Sequence, residues 1–278
     1  SGEFLLWEYS FCYWLEQHGY DVTYCSNADT HTNAAKLNRA KCFFSVGHDE
    51  YWSIEMYENI QSAIQNGLSV GFLCGDSVTA VIPLSQLNSE GRPHRIIRRT
   101  GMFGGIPPED LKIYKDMDSG WGYDLLHEHW EKHGPSQALL VGGRSLYPGN
   151  GSGDWIVRNE KHWIFEGTGM KNGDAIPGLV GWEFASDPPL DVPGFEVLAA
   201  GDVMRSDNST TPYAATIYPG PKGNWIFNAA TIYWALGLSQ PPGLNLPFSH
   251  LGRPHGPDER VQRITANFLK RCGVTDKK

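Results

Sequence analysis

The chain has 278 residues, 40% of them hydrophobic and 19% charged, with a formal net charge of -8. This composition excludes a disordered chain and supplies a full core, in one large domain or two small ones. The acidic balance argues against nucleic acid as a partner, since such binders carry a basic footprint. No apolar run approaches the roughly 18 residues that cross a membrane.

From the start, Glu3 to His18 reads as a helix that is apolar nearly all round and therefore buried, with Gly19 as its stop. Tyr20 to Cys25 (YDVTYC) alternates like a strand, and Asn27 to Ala40 reads as a loop with a short helix. Cys42 to Val46 is a second, buried strand that stops at Gly47. A helix is predicted from Trp52 to Asn66, with Trp52, Met56, Ile60 and Ile64 on one face and Gly67 as cap. Leu68 to Cys74 is a third strand, apolar almost throughout. Strands and helices alternating at this spacing predict βαβ units, an α/β fold with a mostly parallel sheet and flanking helices.

The rhythm changes after about residue 80, where Gly, Pro, Trp and Tyr become frequent. Short strand-like runs occur at Ala138–Val141, Asp154–Val157, Trp163–Phe165 and Glu196–Ala199, some separated by Asn150-Gly151 and Asn172-Gly173. This section reads as an irregular, β-rich insertion laid on the α/β unit. The pattern then returns, with Ala214–Tyr218 and Asn224–Phe227 as a hairpin and Val261–Cys272 as an amphipathic helix. The expected division is 1–85 and 213–278 as the α/β domain and 86–212 as the insertion, in one compact unit.

Five cysteines without a CxxC pair exclude zinc-ribbon spacing and a complete disulfide framework. A reducing, cytoplasmic compartment is expected. No signal peptide is recognisable. The chain opens at Ser1-Gly2 without Met, which leaves a removed leader open. The basic cluster Arg92–Arg99 reads as a solvated loop or a structural pairing.

The densest chemistry is GHDEYW. His48, Asp49, Glu50 and Tyr51 follow the end of a buried strand and precede a helix, the place where open α/β sheets put their sites. Each could equally cap the helix or face water, because an acid in a first turn is favoured by the dipole alone. A second group, Cys74-Gly75-Asp76-Ser77, ends the third strand. There Cys74 with His48 as base would resemble a hydrolase elbow, against a tight-corner reading without function. A third, Leu125 to His133 (LLHEHWEKH), places His129 and His133 four apart beside His127, Glu128 and Glu131, but lacks the H-E-x-x-H order. The ten Trp and twelve Tyr suit either a cleft or an irregular core. Gly149 to Gly153 is not a phosphate loop, having no Lys-Ser/Thr ending and no following helix.

WEYSFCYWLEQHGYDVTY, LNRAKCFFSVGHDEYWS, HWIFEGTGMKNGDAIPGLVGWEF and NWIFNAATIYWALGL run in order over essentially the whole chain. Together they resemble the large subunit of bacterial N,N-dimethylformamidase and its relatives. The resemblance implies a class I glutaminase-like (flavodoxin-like) α/β domain with a β-rich addition. It also implies an iron-dependent amidohydrolase acting on a small N-alkylated amide, with a small partner subunit, a preceding region or a homo-oligomer as partners. The implied ferric ligands are Tyr9 (in WEYSF), Tyr51 (in HDEYW) and a glutamate, hard oxygen donors that suit Fe3+. His48 or Glu50 would move protons. Where the family has that glutamate this chain reads Ser136, so the resemblance leaves either a site rebuilt from Glu131, His133 or Glu128, with Glu131 as the candidate ligand, or a lost metal. Two rival readings follow: a metal-free Cys74/His48 hydrolase, and a non-catalytic relative that keeps only the fold.

Overall fold

The computed structural model describes residues 4–82, 84, 101–104, 134–145, 151–186, 191–205, 207–245 and 256–275. The Arg92–Arg99 cluster, Glu131 and the histidines of LLHEHWEKH lie outside these residues.

The first predicted helix is two helices, α1 (Phe4–Trp7) and α2 (Tyr9–Gln17), broken at Glu8. Trp7, Phe11, Trp14 and Leu15 are buried, while Phe4, Leu5 and Leu6 remain 40–56% exposed. YDVTYC is not a strand. It runs as irregular chain after Gly19, with Tyr20 and Val22 packed on the core and Tyr24 turned out. Alternation in sequence could not reveal that no neighbouring edge takes it.

Helix α3 (Asn27–Thr32) starts with a capping box between Ser26 and Asp29, and α4 (Ala34–Leu37) follows. Strand β1 (Cys42–Gly47) leads into a two-residue strand β2 (Tyr51–Trp52) and then α5 (Ile54–Gln65). The helix starts two residues later than the periodicity suggests, because the Ser53 hydroxyl accepts the Met56 N–H and caps it. Strand β3 (Ser69–Cys74) is buried at every position.

The middle section contributes β4 (Ala80–Val81), β5 (Gly101–Met102), α6 (Gln137–Val141), β6 (Arg144–Ser145), β7 (Gly151–Ile156), β8 (Ala175–Gly181), β9 (Ala185–Ser186) and β10 (Glu196–Arg205). Ala138–Val141, predicted as strand, is helical and ends at Gly142 with φ +80°. A four-residue apolar run carries no period that separates the two. Trp163–Phe165 is a 3-10 turn capped by His162. The predicted hairpin stands: β11 (Thr210–Pro219) pairs antiparallel with β12 (Trp225–Asn228). So does the last helix, α7 (Glu259–Arg271).

Seven of these strands form one sheet in the order β1-β3-β12-β11-β10-β7-β8, while β2-β4-β5 and β6-β9 pair in two small separate sheets. Pairing is parallel for β1-β3 and β3-β12 and antiparallel for the rest. The sheet is therefore mixed, and the mostly parallel expectation holds only at the β1-β3-β12 end. Strands of the middle section extend the same sheet.

Alternate residues of β3 and β12 enter two cores on opposite faces. Val70, Phe72 and Ile226 pack with Met56, Tyr57 and Ile60 of α5. Leu73 and Phe227 pack with Trp7, Phe11 and Trp14 and with Val261, Ile264 and Phe268 of α7. Trp155 and Trp234, both fully buried, pack with ring centroids 5.4 Å apart and planes tilted by 59° in the second core, and send their indole N–H groups to the Ala229 carbonyl and the Thr265 hydroxyl. Helix α7 is anchored at its start by Asp258, whose carboxylate accepts the Arg260 N–H at 2.9 Å. Asp258→Ala should lower stability by about 1 kcal/mol, read as a lower urea midpoint at unchanged m-value.

Candidate functional site

Parallel strands β1, β3 and β12 end on the same side, and their carboxyl ends hold the chemistry. Strand β1 closes at Gly47, with φ +76°, where a Cβ would fall 2.4 Å from Trp7 Cβ. His48 follows. Strand β3 ends at Cys74, followed by Gly75 and Asp76. Gly75 lets this corner press directly on a distant segment: a Cβ there would lie 2.4 Å from the main chain of Glu183. Glu183 follows β8, and its carbonyl accepts the Ile232 N–H at 3.1 Å, just beyond β12.

Three side chains converge. His48 Nε2 is 3.3 Å from Glu50 Oε2 and 3.3 Å from Glu183 Oε1. One ligand atom from each of His48, Glu50 and Glu183 can be chosen so that all lie within 4.8 Å of one another. Their side chains are 13–15% exposed, so the cluster is largely desolvated. Asp76 stands behind them. Burial, and then the charges of Glu183 and Glu50, push its carboxyl well above the usual range. Glu183 Oε2 and Asp76 Oδ1 are buried without hydrogen-bond partners. Two carboxylates, Glu50 and Glu183, around one imidazole leave an excess of negative charge that a cation would offset.

The scaffold around the cluster is tightly tied. Val78, Thr79 and Ala80 donate backbone N–H groups to the carbonyls of Asp49 and Glu50 at 3.0–3.1 Å. Gln137 donates its amide to the Ser77 carbonyl (2.6 Å) and to the Ser145 hydroxyl (2.9 Å). Val78 (φ 56°) and Trp182 (φ 46°) occupy the left-handed region on either side of the site, strain held by the surrounding packing.

The GHDEYW residues divide. His48 and Glu50 belong to the cluster. Tyr51 lies against His48, with ring centroids 5.7 Å apart and edge to face. Asp49 is a structural tie: its carboxylate accepts from Ser45 (2.7 Å) and Asn27 (3.0 Å), and burial raises its pKa. Tyr9 sits on the outer stripe of α2 with Tyr13 and Phe4 as ring neighbours, in a groove of about 440 Å³ shared with Cys12 and Glu16. The structure therefore brings Tyr51 to the cluster and gives Tyr9 other neighbours. Glu131 lies outside the described residues. Ser136 stands at the N-cap position of α6 without a side-chain capping bond, and its carbonyl accepts the Tyr57 hydroxyl at 2.8 Å.

Cys74 is fully buried, in hydrogen-bond contact with Ser45 at 3.2 Å, and burial pushes its thiol strongly up. A thiol that resists ionisation is a poor nucleophile. Cys74→Ala should keep any hydrolytic activity within about twofold, and Cys74 of the folded protein should alkylate much more slowly than exposed Cys25. Mass mapping after brief alkylation reads the second directly.

Sequence reasoning missed Glu183 and Asp76, although both stand in quoted segments, PGLVGWEF and CGDS. Their signal was an acid immediately after an apolar strand, the same signal that marked Glu50.

A family model described as N,N-dimethylformamidase beta subunit-like, C-terminal, matches residues 1–246. The chain belongs to this family. None of the curated proteins matches it. The match to the dimethylformamidase beta subunit-like family covers every strand of the sheet and each member of the His48, Glu50, Asp76 and Glu183 cluster. Among the described residues no helix is long and apolar enough to cross a membrane.

Proposed function

We propose that this chain hydrolyses a small N-substituted amide, such as an N-alkylformamide, to an amine and a carboxylate, at the carboxyl ends of β1 and β3. The observation that carries the reading is His48 Nε2 set between Glu50 and Glu183. The family supports amide hydrolysis, and the parallel β1-β3-β12 end with helices on both faces supports a glutaminase-like core. The beta-subunit wording of the family description supports a partner subunit or a second copy of the chain.

The donor set fits a hard or borderline metal ion: two carboxylates, one imidazole and a buried Glu183 oxygen that lacks a partner. Iron held by His48, Glu50 and Glu183 is the proposed cofactor. When bound, it supplies Lewis acidity toward the amide carbonyl and toward water. The chain does the rest. The Glu50 oxygen turned away from His48 accepts a proton from the attacking water and returns it to the leaving nitrogen. Tyr51, packed edge to face on the His48 ring, holds the imidazole plane. The backbone bonds from Val78, Thr79 and Ala80 keep Glu50 from swinging out.

A second reading keeps Tyr9 and Tyr51 as the iron ligands with Glu131. The packing of Tyr51 on His48 favours a common centre for both.

Protein reconstituted with iron and given N,N-dimethylformamide should release dimethylamine, and a chelator should abolish the release. No amine from any N-alkylformamide, with or without iron, would sink the reading and leave the non-catalytic one.

A further inference from the structure

Trp182 stands between Gly181, the last residue of β8, and the cluster residue Glu183, with its backbone in the left-handed region at φ 46°. Glycine adopts that conformation freely, and a tryptophan held there is a strained position of the kind that collects at functional sites. The chain pins it on both sides. The Trp182 N–H donates to the Gly151 carbonyl at 2.9 Å, and the Glu183 carbonyl accepts the Ile232 N–H at 3.1 Å. The side-chain contacts close a ring around the centre. The Trp182 indole packs on Trp7, with ring centroids 5.4 Å apart. Trp7 presses on Gly47, where an added Cβ would lie 2.4 Å from the Trp7 Cβ. His48 follows Gly47, and its Nε2 is 3.3 Å from Glu183, the residue after Trp182. Trp7 also packs on Tyr233, with ring centroids 6.1 Å apart. Trp7 and Tyr233 are 3% and 2% exposed, whereas Trp182 keeps part of its surface in solvent. Trp182 thus offers apolar surface one residue from Glu183, on a buried aromatic backing that leaves its ring little room to retreat.

We propose that Trp182 is a specificity-determining residue of the His48, Glu50 and Glu183 centre, its indole forming the apolar wall that receives the N-alkyl groups of the amide. This assignment rests on amide hydrolysis at that centre and names the amides preferred there. An unsubstituted amide nitrogen carries two N–H groups, which lose water against an indole face without gaining a partner. N-methyl groups lose no polar contact there and bury apolar area. The preference lasts through the reaction, because the leaving amine takes up a proton and its methyl-bearing cation is attracted to the face of an indole. The buried Trp7 ring behind Trp182 fixes the depth of the wall. Methyl groups are therefore preferred to ethyl groups, which need the wall to move back.

Release of ammonia or amine from formamide, N,N-dimethylformamide and N,N-diethylformamide, by iron-reconstituted wild-type protein and its Trp182 variants, tests the assignment. In wild-type protein kcat/KM for the dimethyl compound should exceed that for formamide by about tenfold or more. In Trp182→Ala that ratio should fall by about tenfold, while the ratio of the diethyl to the dimethyl compound rises. Trp182→Phe keeps a smaller aromatic ring and should move both ratios in the same directions by less. It decides the question if the alanine variant misfolds. Loss of packing alone would lower all three substrates by one factor and leave the ratios where they were. Unmoved ratios in the folded variants, or wild-type protein that favours formamide, overturn the role of Trp182 while amide hydrolysis stands. No release from any of the three by wild-type protein overturns both.

Discussion

Glu183→Gln should reduce amine release by about 100-fold or more. The side chain keeps its shape but loses the charge that faces His48 Nε2 at 3.3 Å. Stability should not fall with it. The Glu183 carbonyl still accepts the Ile232 N–H, and the substitution removes one of the carboxylates that oppose Asp76. An unchanged or higher melting temperature beside lost turnover is the signature of a group kept for chemistry at some cost in stability. If turnover survives, Glu183 is a structural carboxylate and the centre lies elsewhere.

Gly75→Ala should act in the opposite way, losing both fold stability and activity. The new methyl would lie 2.4 Å from the main chain and Cβ of Glu183, and backbone cannot rotate aside as a side chain can. The β3 corner or the Trp182–Glu183 segment must move, at a cost of about 1–3 kcal/mol or more. Either movement separates Asp76 and Glu183 from His48. Gly71→Ala is the control. A Cβ there meets the Phe44 ring at 2.6 Å, on a partly buried side chain that can shift. It should cost stability but leave turnover near the wild-type value. Equal loss of activity in both variants would mean that overpacking anywhere in β3 disables the protein.

The parallel end of the sheet was legible because its strands obey local rules. Cys42–Val46 and Leu68–Cys74 are apolar runs stopped by glycine, and α5 shows its face every fourth residue. The strand-end position of His48 and Glu50 followed from the same pattern. Elements whose identity depends on distant partners were not legible. YDVTYC alternates like a strand but finds no edge. Ala138–Val141 is apolar and short, and becomes a helix between Ser136 and Gly142. The antiparallel extension through β10, β7 and β8 depends on pairings between residues far apart in the chain. Glu183 illustrates the same limit within the site. Nothing local to PGLVGWEF says that it folds back onto Gly75, more than a hundred residues earlier. Tyr9 shows the converse: the resemblance marks it as a ligand, whereas its ring packs among Phe4 and Tyr13 on the outer stripe of α2.

The location of the metal centre is the claim on which the rest depends, and iron content per chain in paired variants tests it most directly. After iron loading and desalting, wild-type protein and Tyr9→Phe should each retain about one iron per chain, while Glu183→Gln should retain little. Iron lost from Tyr9→Phe and kept by Glu183→Gln would contradict the His48, Glu50 and Glu183 centre.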